Sequence, residues 1–205
     1  MTDKNVSIMN IGSMGYLPQV FKKIENEKKL NIVYLGGSIT MGCNATKTEL
    51  RYVDRSAKWW QTNFPDAEIS YFNAGIGATT SQFGVARVQE HVLDKQPDLV
   101  FVEFSVNDSS SPLFMETYES LVRRLLKAES VKAVVLINNL FYDTGTNAQG
   151  IHNAVGLHYD LPIVSVRNYI FPEIQLGNVC LADYTADMLH PTDLGHKMIC
   201  LLYTS

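Results

Sequence analysis

At 205 residues, with 46% hydrophobic and 19% charged side chains and a net charge of −4, the chain has no basic footprint for nucleic acid and no apolar run long enough to span a bilayer. That length suits one domain, residues 1–205, burying roughly 70% of its unfolded surface without a disulfide or metal staple. The start at Met1 lacks a secretory pattern and the three distant cysteines, Cys43, Cys180 and Cys200, read as reduced thiols; a cytoplasmic protein is expected, with no membrane or nucleic-acid partner and with a homo-oligomer left open.

Residues 1–16 carry no clear period and read as an N-terminal extension that drapes over the domain or crosses to a partner. Residues 17–29 have apolar side chains at helical spacing with Pro18 in the first turn. Ile32 to Leu35 then form a short apolar strand that stops sharply at Gly36 and Gly37, with Ser38 presented directly after them. A polar connection over 41–53 leads to a helix capped by Asp54, whose buried face is Ala57, Trp59, Trp60 and Phe64. Residues 68–73 read as a second strand, 74–81 as a glycine-rich loop, and 81–95 as a helix.

Residues 99–104 are almost continuously apolar and read as a central strand. Glu103 is the exception, and a buried carboxylate needs a partner, so pairing with Arg51 or Arg87 is expected. A loop at 105–109 and a helix over 113–128 follow. A fourth strand spans 131–137, a helix 147–159, and a fifth strand 162–166. Residues 168–176 read as a short helix broken around Pro172, 178–190 as irregular, and 192–202 as a closing helix. Strands alternating with helices about every 30 residues indicate a three-layer α/β/α sandwich around a five-stranded parallel sheet, in the flavodoxin-like order 2-1-3-4-5.

That order sets three loops side by side at the carboxyl edge of the sheet, where open α/β sheets bind ligands. They carry Ser38, then Gly75, Gly77 and Ala78, then Asn107. Acyl transfer needs a nucleophile together with donors aimed at the developing oxyanion. Ser38 can supply its hydroxyl and its own N–H, the second loop another N–H, and Asn107 a carboxamide. A serine hydroxyl also needs a base. Of five histidines, His190 stands apart, because Asp187 lies three residues ahead of it in an irregular segment and Pro191 follows it. An Asp187 carboxylate folded back onto Nδ1 would fix the tautomer and leave Nε2 to face the serine. No His/Asp/Glu cluster has metal-ligand spacing.

Four blocks in order, over residues 31–196, resemble the SGNH (GDSL-type) hydrolase family. Gly36-Gly37-Ser38 is similar to the nucleophile block, with glycine where aspartate is usual. Residues 73–81 resemble the glycine block, Val106-Asn107-Asp108 the asparagine block, and Asp187 with His190 the closing one. The resemblance implies a serine esterase with Ser38, Asp187 and His190 as its triad and no cofactor. It also places the oxyanion glycine of relatives at Ala78, so Gly77 and Ala78 both stay open, with Gly75 as a weaker option. The stretches 36–40 and 102–108 look like the branch acting on acetylated sugars, so the expected substrate is a small-molecule or carbohydrate ester with a short acyl group. Asn44, Tyr52, Phe114, Phe141 and Tyr142 are candidate pocket residues. The alternatives are a lysophospholipase or thioesterase and, in a different class, a nucleotide- or phosphate-binding domain without hydrolytic activity; neither phosphate-loop pattern is present.

Overall fold

The structure, a computed structural model, describes residues 3–13 and 15–204. In chain order it contains β1 (Ile8–Asn10), α1 (Leu17–Glu27), β2 (Lys29–Gly36), α2 (Ser38–Met41), α3 (Tyr52–Asn63), β3 (Glu68–Gly75), α4 (Ser81–His91) and β4 (Leu99–Glu103). There follow α5 (Pro112–Leu126), β5 (Ala133–Asn138), α6 (Gln149–His158), β6 (Ile163–Ser165), α7 (Val166–Gln175), α8 (Leu181–Tyr184) and α9 (Asp193–Thr204). Together they form one sheet in the order β1-β6-β5-β4-β2-β3.

The five strands β2 to β6 are parallel and take the expected 2-1-3-4-5 order. The sixth was not expected. β1 pairs antiparallel with β6 through Ile8–Val164 and Asn10–Ile163, so part of the segment read as an extension closes the sheet edge. Three residues with an irregular register carry too little periodicity to announce a strand. Its hold is tertiary: Asn10 Nδ2 donates to Asp160 Oδ1 and to the Leu161 carbonyl, and Ser13 N–H to the Asp160 carbonyl. Among smaller differences, α7 runs on through Pro172, and Asp54 sits inside the first turn of α3, where its carboxylate accepts the Tyr71 hydroxyl at 2.8 Å.

Every residue of β4 and β5 is buried, as expected for strands covered on both faces. On one face Val20 and Ile24 of α1, Val53 and Trp60 of α3, and Ile199 and Leu202 of α9 pack against Ile32, Tyr34, Phe101 and Val135. On the other, Val88 of α4, Leu121 and Leu125 of α5 and Val155 of α6 pack against Val33, Leu35, Val100 and Leu136. Fully burying one such aliphatic side chain contributes about 1.5–3 kcal/mol. No helix among the described residues is long and apolar enough to cross a membrane.

The strand register levels the site. Gly36 is the partner of both Gly75 and Glu103, so β2, β3 and β4 end in line and their loops leave together. A Cβ on Gly36 would run into Thr40 and the Glu103 carbonyl, and one on Gly75 into the Met41 backbone. The buried Arg87 guanidinium donates to the carbonyls of Ala74, at 2.6 Å, and Gly36, at 3.1 Å. It thereby satisfies two carbonyls at the strand ends, and burial lowers its pKa to about 10.

Candidate active site

Gly37 ends the turn after β2, and Ser38 is the first residue of α2. The turn leaves Ser38 only 7% exposed, with its hydroxyl oxygen 2.9 Å from His190 Nε2. His190 Nδ1 lies 2.7 Å from Asp187 Oδ2. Asp187 Oδ1 accepts the N–H groups of Leu189, at 3.1 Å, and His190, at 2.7 Å, and the Thr185 hydroxyl at 3.3 Å. Partial burial pushes the Asp187 carboxyl up, but the bonds from the His190 ring and the two N–H groups outweigh it and hold the group well below the usual carboxylate range. Thr185 and Pro191 bridge across the base of this loop, and Tyr142 N–H donates to the Met188 carbonyl at 2.7 Å. The chain at Asp187–His190 is thus a closed turn presenting its ring toward Ser38.

The donors converge as the strand order requires. The Asn107 carboxamide lies across Gly37, its oxygen end buried. A Cβ at position 37 would strike that oxygen, so glycine leaves the Asn107 carboxamide room there. A Cβ on Gly77 would come 3.9 Å from Ser38 Cβ, so this loop stands directly beside the serine. Gly75 is removed as a donor, because its N–H is already committed to Asn73 Oδ1 at 2.9 Å. Ala78 has φ +57, in the left-handed region. A non-glycine residue held there costs on the order of 1–3 kcal/mol, strain of a kind that clusters at functional loops.

The pocket residues separate. Asn44, exposed with φ +64, points Nδ2 at Asp187 Oδ2 over 3.4 Å, so it touches the carboxylate that faces His190. Tyr52 is a correction: it is wholly buried, its hydroxyl 2.8 Å from Thr40 Oγ1, and it supports α2 from below because the helical face it lies on is turned into the core. Tyr142 is likewise wholly buried and serves the site through its backbone bond to Met188. Phe114 stands in the first turn of α5, and Phe141 packs partly buried against the core.

Glu103 also departs from expectation. No arginine among the described residues pairs with it; it faces Thr40 Oγ1 and Ser105 Oγ, each at 3.4 Å, and the Asn139 side chain. Full burial, only partly offset by those partners, raises its pKa from 4.5 to about 7. The folded protein therefore holds this proton more tightly than the unfolded chain. The stability so gained is complete below pH 4.5 and is lost as pH climbs toward 7. A shift of that size corresponds to about 3 kcal/mol. Glu103→Gln is accordingly expected to gain in Tm relative to the parent between pH 5 and pH 8, measured by differential scanning fluorimetry at both values. A constant difference would contradict the buried neutral acid.

His196, in α9, accepts Tyr52 N–H on Nδ1 at 3.3 Å and lies 3.1 Å from the Cys43 carbonyl through Nε2. Burial lowers its pKa to about 4, so it is a neutral brace between α9 and the loop that carries Asn44. A histidine three residues beyond Asp193 had no sequence signal for this, because its partners are backbone groups more than 140 positions away.

The sequence profile of the GDSL-like lipase/acylhydrolase family matches residues 34–198. An acetylxylan esterase of Geobacillus stearothermophilus is 24% identical over 206 residues, covering 86% of this chain and 92% of that protein. The crystal structure of a two-domain esterase active on acetylated mannans, co-crystallized with mannopentaose, superposes with a TM-score of 0.97 at 44% identity. It is matched over 100% of this chain, which spans only 55% of its length. An alpha/beta hydrolase enzyme from the metagenome of Lake Arreo, Spain, shares the fold, with a TM-score of 0.71 at 21% identity over 85% of this chain and 93% of its own.

Proposed function

The chain belongs to the GDSL-like lipase/acylhydrolase family, and from that premise we propose that it is a serine esterase removing acetyl groups from carbohydrates, with acetylated mannan as its substrate. The observation that carries this reading is the unbroken relay from Asp187 through His190 to Ser38, at 2.7 and 2.9 Å, set beside the Asn107 carboxamide and the Gly77 loop. The acetylated-sugar part draws on the 44% identical esterase.

His190 Nε2 takes the Ser38 proton as Oγ attacks the ester carbonyl, and Asp187 stabilises the imidazolium that forms. The carbonyl oxygen becomes an oxyanion held by Ser38 N–H, an N–H of Gly77 or Ala78, and Asn107 Nδ2. Collapse expels the sugar hydroxyl, which leaves with the proton from His190, and Ser38 is left acylated. Water attacks the acyl-serine by the same route, returning its proton to His190, then to Ser38, and releasing acetate. No step needs a cofactor.

Acetate release from acetylated glucomannan, acetylated xylan and a chain-length series of p-nitrophenyl esters tests the substrate. The expected order is acetyl over all longer chains, with glucomannan faster than xylan. A preference for C8 or longer would overturn the sugar esterase in favour of a lipid or thioester hydrolase.

A further inference from the structure

Behind the oxyanion loops lies a second aspartate–histidine pair. Asp108 follows Asn107 in the chain, and its Oδ2 is 3.0 Å from His152 Nε2 of α6. Both side chains are completely buried, so this pair is closed to substrate, unlike Asp187 and His190. The other oxygen, Asp108 Oδ1, accepts the N–H of Ser81 at 2.9 Å. Ser81 is the first residue of α4, directly after the glycine loop. The N–H groups of Asn107 and Asp108 both donate to the Phe104 carbonyl, which makes the turn bearing Asn107 short and tight. The His152 ring is itself fixed, stacked on Tyr118 of α5 with centroids 3.6 Å apart and planes 6° apart.

One carboxylate therefore ties the Asn107 turn to the start of α4 and to α6. Buried without a donor, it would cost several kcal/mol. A neutral imidazole donating from Nε2 meets that need and leaves His152 Nδ1 with no partner among the described residues, so the ring has one hydrogen bond, and that bond goes to Asp108.

We propose that His152, acting through Asp108, is a positioning residue for the oxyanion hole: it clamps the turn that aims the Asn107 carboxamide past Gly37 at the reacting carbonyl. The inference rests on the reading of Asn107 as an oxyanion donor, and its test separates the two. Four proteins are compared on p-nitrophenyl acetate: the parent, Asn107→Ala, His152→Phe and the double variant. His152→Phe keeps a flat ring over Tyr118 and removes the bond to Asp108.

Asn107→Ala is expected to lower kcat on the order of 100-fold. His152→Phe is expected to lower kcat about tenfold with KM nearly unchanged, the scale of a misaimed catalytic group. In the Asn107→Ala background the same change should cost less than about twofold, because there is no carboxamide left to aim. Equal losses in both backgrounds, or no loss in the parent, would overturn the positioning role. An Asn107→Ala variant with full kcat would instead refute the oxyanion reading itself. Should His152→Phe fail to fold, His152→Gln decides. Its amide N–H still reaches toward Asp108 while the ring is gone; kcat within about threefold of the parent supports the clamp, and a folded Gln variant with a larger loss overturns it.

Discussion

Ser38→Ala is expected to lower kcat on p-nitrophenyl acetate on the order of 100,000-fold while leaving the fold and Tm unchanged. The size follows from what is removed. Without Oγ there is no acyl acceptor, and His190 Nε2, 2.9 Å from the missing oxygen, can only activate water held less well. The fold is indifferent because, among the described residues, Ser38 Oγ bonds to His190 alone. The backbone of α2 is held independently, by Met41 N–H on the Gly37 carbonyl and by Gly42 and Cys43 N–H on the Ser38 carbonyl. Thermal unfolding and steady-state kinetics on one preparation make the check, together with a fluorophosphonate whose mass adduct should appear on the parent and be absent from the variant. Retained turnover would remove Ser38 from the mechanism.

What the sequence made legible was local or periodic. Apolar runs found the five parallel strands, and the family-like spacing of four short blocks found the residues that now stand together around Ser38. Asp187 and His190 were readable because both partners lie within one turn. The signal failed wherever the partner was distant and chosen by packing. β1 has three residues and no alternation, and its place was decided by β6 and by Asp160. Glu103 looked like half of an ion pair, since a buried carboxylate usually needs a cation. The core supplied two hydroxyls and a carboxamide instead, and the acid responds by keeping its proton. Tyr52 read as part of the polar connection over 41–53 and so as a candidate pocket residue; α3 begins at Tyr52 itself and turns it inward.

Glycine at position 37, where aspartate is usual, leaves room for the Asn107 carboxamide, whose oxygen a Cβ there would meet. Ala78 is the converse. The chain keeps the left-handed conformation that favours glycine and accepts alanine in it, so the loop geometry is held by its surroundings. Asn73 contributes, accepting Gly75 N–H and donating to the Thr40 carbonyl at 2.8 Å. The glycine loop and α2 are thereby one hydrogen-bonded unit.

Asp187→Asn carries the second large expected effect, a fall in kcat on the order of 1,000-fold or more with KM little changed. The argument is about which ring nitrogen holds the proton. With aspartate, both Oδ atoms only accept, so His190 Nδ1 must carry a hydrogen and Nε2 offers its lone pair to Ser38. An asparagine turned with Nδ2 toward the ring reverses this, placing the proton on Nε2 and leaving no base. The opposite orientation keeps the tautomer. It then aims Nδ2 at the N–H groups of Leu189 and His190, which now bond Oδ1 at 3.1 and 2.7 Å, and so forfeits both. The three N–H donors of this turn, two backbone and one from the ring, want a carboxylate, and the amide satisfies one side only. Because Asp187 is 45% exposed, water reaches the turn and limits the loss of stability, so the deficit should fall on kcat with a small change in Tm. The pH profile distinguishes tautomer from structure: activity of the variant should recover steeply at alkaline pH, where hydroxide can replace the missing base. A variant within tenfold of the parent at neutral pH would mean that His190 is oriented by the turn and by Ser38 without its carboxylate.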